Sequence, residues 1–135
     1  MADTLHLQVA TPERQLVDEP VERVEIPGKD GYLGILPAHA PLLSELGAGV
    51  LTYSGTSDKQ ALAIDGGFVE VLENEVHVLA EHAEFGNEID SAQARAQVEE
   101  AEAAVNNPAP DAKPEELVRR LAAAQARLDA AARAR

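Results

Sequence analysis

Polar and apolar residues alternate with a period of two along most of the first 80 positions. Leu5, Leu7 and Val9 alternate with Thr4, His6 and Gln8, the signature of a half-buried strand. Thr11-Pro12-Glu13-Arg14 then reads as a turn. Val21, Val24 and Ile26 belong to a second extended stretch, ended by Pro27-Gly28. Gly31 to Pro37 reads as a short strand with glycine at both ends of its first half. Val50–Tyr53, Ala61–Ile64, Phe68–Val71 and Val76–Leu79 follow as further strands, at intervals of about 8–12 residues. That spacing predicts an all-β sandwich or barrel. No gap among these strands holds a crossover helix, so parallel βαβ units are not expected.

Beyond Ile89 the period changes to that of a helix. Asp90 is an N-cap type with Gln93 three residues on, and Ala94, Val98, Ala101 and Val105 form a stripe at spacings of 4, 3 and 4. Asn106-Asn107-Pro108-Ala109-Pro110 breaks it. A second helix begins near Pro114, suited to the first helical position, with stripe Leu117, Leu121, Ala124, Leu128 and Ala131. Glu115 and Glu116 suit its positive end, and Arg133 and Arg135 its negative end. Two single-stripe helices joined by a short break predict an antiparallel hairpin. Its seam is mostly alanine, which gains little against the roughly 1–2 kcal/mol per residue of ordering entropy. The hairpin is therefore expected to need docking against something else, either permanently or as a mobile element.

Composition sorts at the same boundary. All nine Gly and all four aromatic residues lie between Gly28 and Gly86, whereas 16 of the last 45 residues are Ala. The expected division is a β-sandwich over residues 1–87 and a helical hairpin over 88–135. The net charge of −13 is uneven: residues 1–90 hold 4 basic and 17 acidic side chains, residues 113–135 hold 6 and 3. An acidic body argues against phosphate backbones and anionic membrane surfaces. A basic last helix could pair with its own sandwich or with an acidic partner. No run approaches the roughly 20 apolar residues that span a bilayer. The N-terminus has no basic stretch followed by an apolar one, so no secretory signal is expected. The chain has no Cys, which removes disulfides, thiol catalysis and Cys-ligated metals.

Catalytic motifs are not found. His6, His77 and His82 have no metal-ligand spacing, and His39 sits alone in a Pro-bounded turn. Gly66-Gly67 lacks the remainder of a phosphate loop and reads as a hairpin turn. Ser44, Ser54, Ser57 and Ser91 have no nucleophile motif. The carboxylates are abundant, but nothing selects an acid/base pair among them.

Three blocks carry a family resemblance. Ile26-Pro27-Gly28-Lys29-Asp30-Gly31-Tyr32-Leu33-Gly34-Ile35-Leu36-Pro37-Ala38-His39-Ala40-Pro41-Leu42-Leu43 resembles the epsilon subunit of F-type ATP synthases. So do Gly66-Gly67-Phe68-Val69-Glu70-Val71, with Asn74 and Val76–Ala80 after it, and the opening Leu7 to Arg14. Their order and spacing also match, and the resemblance is strongest up to about Asp90. It implies a mainly β fold with an α tail: an N-terminal antiparallel β-sandwich, then a C-terminal two-helix antiparallel hairpin. It implies a non-catalytic, regulatory central-stalk subunit of a proton-translocating complex, bound to the gamma subunit and the c-subunit ring. It further implies a helical arm that moves between a compact and an extended state and inhibits ATP hydrolysis when extended. Fully extended, 45 helical residues would reach roughly 68 Å.

The resemblance also points to residues. Lys29, Asp30, Tyr32, His39 and Leu42 would face gamma and the c ring, with His39 beside the Lys29–Tyr32 loop. Arg119, Arg120 and Arg127 would dock the extended arm on the beta subunit, so that replacing all three with Ala relieves inhibition. Some epsilon subunits bind ATP at the junction into the tail. The matching positions here are Ile89, Asp90 and Gln93, with Arg127 in the second helix. Gln93 stands where the motif has arginine, and Ala123 stands four before Arg127. Gln supplies no cation for phosphate, so no cofactor is expected and regulatory ATP binding is doubtful. The expected location is peripheral, on the cytoplasmic face of a bacterial inner membrane, with no direct insertion and no nucleic-acid partner. Two other classes are weighed against this: a nucleotide-sensing module whose hairpin folds on ATP, and an unrelated β-sandwich adaptor that self-associates through its tail.

Overall fold

A computed structural model describes residues 4–55 and 59–134. Ser57 and Arg135, named above, lie outside the described residues. Within them run eight strands: β1 Leu5–Ala10, β2 Gln15–Val21, β3 Arg23–Gly28, β4 Gly31–Ile35, β5 Leu42–Glu45, β6 Ala48–Ser54, β7 Lys59–Leu72 and β8 Glu75–Phe85. A 3-10 turn at Gly86–Glu88 leads into α1 Ser91–Asn106 and α2 Pro114–Arg133. The mainly β body with an α tail is as the alternation implies, an N-terminal β-sandwich followed by two helices.

The two layers share their longest strands. β7 and β8 pair in one unbroken antiparallel register from Leu62–Phe85 to Leu72–Glu75. Their first and last halves belong to different layers. One layer is β2, β1, the start of β8, the end of β7, and β5; the other is the end of β8, the start of β7, β6, β3 and β4. Pairing is antiparallel except between β1 and β8, whose parallel register runs from His6–Glu75 to Ala10–Leu79. Strand alternation alone is silent on such a contact between chain positions 69 apart.

Gly66-Gly67 is not a hairpin turn. The chain continues through both glycines as one 14-residue strand. They take φ of +77° and +117° and let β7 bend from one layer into the other. A Cβ on Gly67 would lie 2.1 Å from the Leu79 carbonyl oxygen, so the neighbouring strand has closed into the space. The real turn is Glu73-Asn74, where both residues have positive φ, as a two-residue primed turn requires. The second extended stretch likewise divides at Glu22 into β2 and β3.

Inward residues of both layers form one core, including Leu5, Leu7, Val9, Val24, Ile26, Leu51, Leu62, Ile64, Val69 and Val78. The outer faces differ. On the second layer Val50, Ala61 and Ala63 point outwards and are buried beneath Ala130 and Ala131 of α2, with Ile89 and Ala94. On the first layer no helix among the described residues covers the outward side chains, and Leu43, Phe68 and Leu79 are exposed. The hairpin seam is Val98, Ala101 and Ala124, with Leu121 and Leu128 beside them. Thus α2 uses two stripes where the heptad-like spacing predicts one. Leu121 and Ala124 face α1, Ala130 and Ala131 face the sandwich, and Leu128 packs against both.

Candidate docking surfaces and the joint of the tail

The loop residues singled out by sequence separate into two places. Lys29 and Asp30 form the turn between β3 and β4. Lys29 Nζ pairs with Glu45 at 3.0 Å, which raises its pKa, and its amide donates to the Glu45 carbonyl. His39 lies in the loop after β4, where the Ala38 amide donates to Asn74 Oδ1 at 2.7 Å and His39 Nδ1 lies 2.6 Å from the Ala40 carbonyl. One loop is anchored on Glu45 and the other on Asn74. The five residues of β4 lie between them, about 13 Å of strand. His39 is therefore not beside the Lys29–Tyr32 loop. Tyr32 is 55% exposed, yet its hydroxyl accepts the Val50 amide at 3.0 Å. Gly49 makes room for it: a Cβ there would lie 2.6 Å from that oxygen. Leu42 is half-buried against the core, and its neighbour Leu43, 74% exposed, is the residue that faces outwards.

Leu43 belongs to a strip the sequence analysis did not pick out. On the uncovered outer face Phe68 and Leu79 stand directly opposite each other and are 51% and 63% exposed. With Ala10 they line a shallow groove that Gln8, Glu70 and His77 close on the polar side. Parity was the available signal: Val69 and Val71 point inwards, so Phe68 occupies a position expected to be polar. Contiguous exposed apolar surface of this kind marks an interaction site.

Beside the strip, His6 is held between two carboxylates. Its Nε2 faces Asp18 and its Nδ1 lies 3.0 Å from Glu75, which also receives His77 Nε2 at 3.2 Å. Hydrogen bonds to Asp18 and then Glu75 raise the His6 pKa, and the same bonds lower those of both carboxylates. Among the described residues no group of three or more His, Asp or Glu is placed to hold a metal ion.

The third place is the joint between sandwich and hairpin. Asp90 accepts from the Ala92 and Gln93 amides at 3.0 and 3.1 Å, as an N-cap. Ile89 is 2% exposed and packs beneath α2. Gln93 lies on the exposed side of α1. Arg127 forks onto Glu84 of β8, with Nε at 2.6 Å and Nη2 at 3.2 Å, and donates Nη1 to Gln97 of α1. The structure therefore places Ile89, Asp90 and Arg127 around one joint, each already engaged within the chain. Arg120 pairs with Glu100 across the hairpin at 2.7 Å, and Arg119 lines a groove with Asp65, Glu81 and His82. Glu84 and Gln97 carried no motif and emerge only from the packing.

Comparison with known proteins decides the family. The β-sandwich domain of ATP synthase delta/epsilon chains matches residues 4–86. An ATP synthase epsilon chain from Solibacter usitatus is 49% identical over 128 residues, covering 95% of this chain and 96% of its own. This chain belongs to the ATP synthase epsilon family. A second epsilon chain, from Koribacter versatilis, is 43% identical over 82% of this chain and 78% of its own. Among solved structures, a chain of the Euglena gracilis mitochondrial ATP synthase, determined as OSCP/F1/c-ring in rotational state 1, superposes with a TM-score of 0.83. It shares 25% identity, with 98% of this chain and 83% of that one covered. A chain of the Tetrahymena thermophila mitochondrial enzyme shares the fold, at a TM-score of 0.59 and 16% identity over 96% and 95% of the two chains. As an epsilon chain the protein is a subunit of the ATP synthase complex, and no helix among its described residues is long and apolar enough to cross a membrane.

Proposed function

We propose that this epsilon chain is a non-catalytic rotor subunit of a bacterial ATP synthase, which joins the gamma subunit to the c-subunit ring and brakes ATP hydrolysis with its helical arm. The observation that carries this reading is the asymmetry of the sandwich. One outer face is covered by α2, and the other presents Leu43, Phe68 and Leu79 to solvent. The uncovered strip suits the gamma subunit, and the polar loop of Lys29, Asp30 and Tyr32 suits the headgroup-level end of the c ring. Hydrolysis is catalysed elsewhere in the complex. The subunit sits peripherally on the cytoplasmic face of the inner membrane, held by its protein partners.

The arm is built to leave its dock. The fully buried α2 residues at the contact with Val50, Ala61 and Ala63 are Ala130 and Ala131, which contribute only methyl groups, with Leu128 partly buried beside them. Each buried methyl-sized group stabilises by roughly 0.8 kcal/mol, against a large entropy of ordering. An arm held this weakly has two states of similar free energy, as a switch requires. In the extended state Arg119, Arg120 and Arg127 meet an acidic surface of the beta subunit. The brake is tested by ATP hydrolysis of the reconstituted catalytic complex, with the full chain and with a chain ending at Glu88. The full chain should slow hydrolysis and the shortened chain should not. Equal rates would leave a coupling role alone.

A further inference from the structure

We propose that Arg127, Glu84 and Gln97 form a latch that sets how much of the population keeps the arm docked. The proposal rests on the mobile-arm reading above and names what regulates it. Three elements meet at this one guanidinium: α2 supplies Arg127, β8 supplies Glu84 and α1 supplies Gln97. The buried contact of α2 with the sandwich is otherwise aliphatic, Ala130, Ala131 and Leu128 against Val50, Ala61, Ala63 and Ile89, which holds without direction. The forked pair is what fixes one register.

The geometry also explains why the latch can be worked. Arg127 is 22% exposed along its side chain and Glu84 is 40%, so the pair is shielded on one side and open on the other. A cleft of about 370 Å³, lined by Thr11, Arg14, Asp65, His82, Glu84 and Arg127 among others, opens onto it. Arg14 stands in the same cleft, held on Glu88 at 2.9 Å, and Glu84 adds to the raising of its pKa. When Arg127 departs, Glu84, already 40% exposed along its side chain, is left to solvent in a cleft it shares with Arg14. Release of the arm is therefore reversible without a buried unpaired charge. Because Gln97 holds a third N–H of Arg127, separating the two helices from each other also weakens the latch. Unfolding of the hairpin and its release from the sandwich are coupled through one side chain.

The absence of native cysteine lets two spin labels be placed on the full chain through Glu19→Cys on β2 and Ala122→Cys on α2, both exposed. Distance distributions then report the docked share directly. Glu84→Gln should lower the docked-to-released ratio about tenfold, and Gln97→Ala by less. Arg127→Lys keeps the charge but loses the fork, and should also lower it. Exchanging the pair, as Glu84→Arg with Arg127→Glu, should restore the docked share, because the Gln97 amide can turn its N–H group to the carboxylate. Salt of about 0.5 M should act on the native chain in the same direction as Glu84→Gln. A distribution unchanged by Glu84→Gln and Arg127→Lys overturns the latch. If the distribution shifts while hydrolysis by the reconstituted complex does not, the latch stands and the braking role falls.

Discussion

Gly86 and Ala130 touch backbone to backbone: a Cβ built on Gly86 would lie 2.2 Å from the Ala130 carbonyl oxygen. The 3-10 turn that ends the sandwich is thus the floor on which the last turns of α2 rest. Its φ is not in the glycine-only region, so the demand is for space. Gly86→Ala should push α2 off the sandwich at a cost of about 1–3 kcal/mol. Hydrogen exchange across residues 114–133 should rise, while the sandwich transition in urea stays where it was. Unaltered exchange would mean the helix finds another seat.

Phe68 and Leu79 form a cross-strand pair on a face that nothing among the described residues covers. Changing both to Ser removes two apolar side chains, each stabilising a buried contact by about 1.5–3 kcal/mol. Binding to the isolated gamma subunit, read by calorimetry, should weaken at least tenfold. Thermal stability of the free chain should hold or improve. Unchanged affinity would place the gamma-binding face elsewhere.

His6 predicts an alkaline limb in the stability profile. Its pKa is raised by Asp18 and Glu75, so the charged pairing is complete below its ordinary 6.5 and is lost as pH rises through the raised value. Asp18 and Glu75 are lowered from 3.8 and 4.5, so their share is present above those values and lost as pH falls through the lowered ones. The urea midpoints of the native chain and His6→Gln should differ most between about pH 5 and 6.5, and converge once the pH has passed the raised His6 value. Parallel profiles would show the triad to be without thermodynamic weight.

Asp90 serves as a cap and Arg127 is occupied by Glu84 and Gln97. Of the positions matching the ATP motif, Gln93 supplies no cation and the Arg127 guanidinium is already engaged, so calorimetry with the full chain should register weak or no binding. A low-micromolar dissociation constant would contradict this. Asp90→Ala should lower helical stability by about 1 kcal/mol with ATP present or absent.

Much of the architecture was legible because its determinants are local. The inward parity of Leu5, Leu7 and Val9, the cap at Asp90 and Pro114 in the first turn of α2 each depend on neighbours a few positions away. Two-period and 3.6-period burial then separate a sandwich from a hairpin without knowledge of any long-range contact. The family resemblance named the loops of Lys29–Tyr32 and His39, but not that β4 holds them apart.

What remained for the tertiary structure is what depends on a distant partner. Glycines with positive φ suit a turn and a bent strand equally, and only the continuous pairing of β7 with β8 makes Gly66-Gly67 a bend. The parallel contact of β1 with β8 joins positions 69 apart, beyond the reach of any local period. Phe68 and Ala63 both alternate with inward neighbours, and whether a helix lies above them decided that one is exposed and the other buried. The basic character of the last helix was visible in composition. That one of its arginines reaches both a strand and the opposite helix follows from packing, because a charge finds its partner in space and not along the chain.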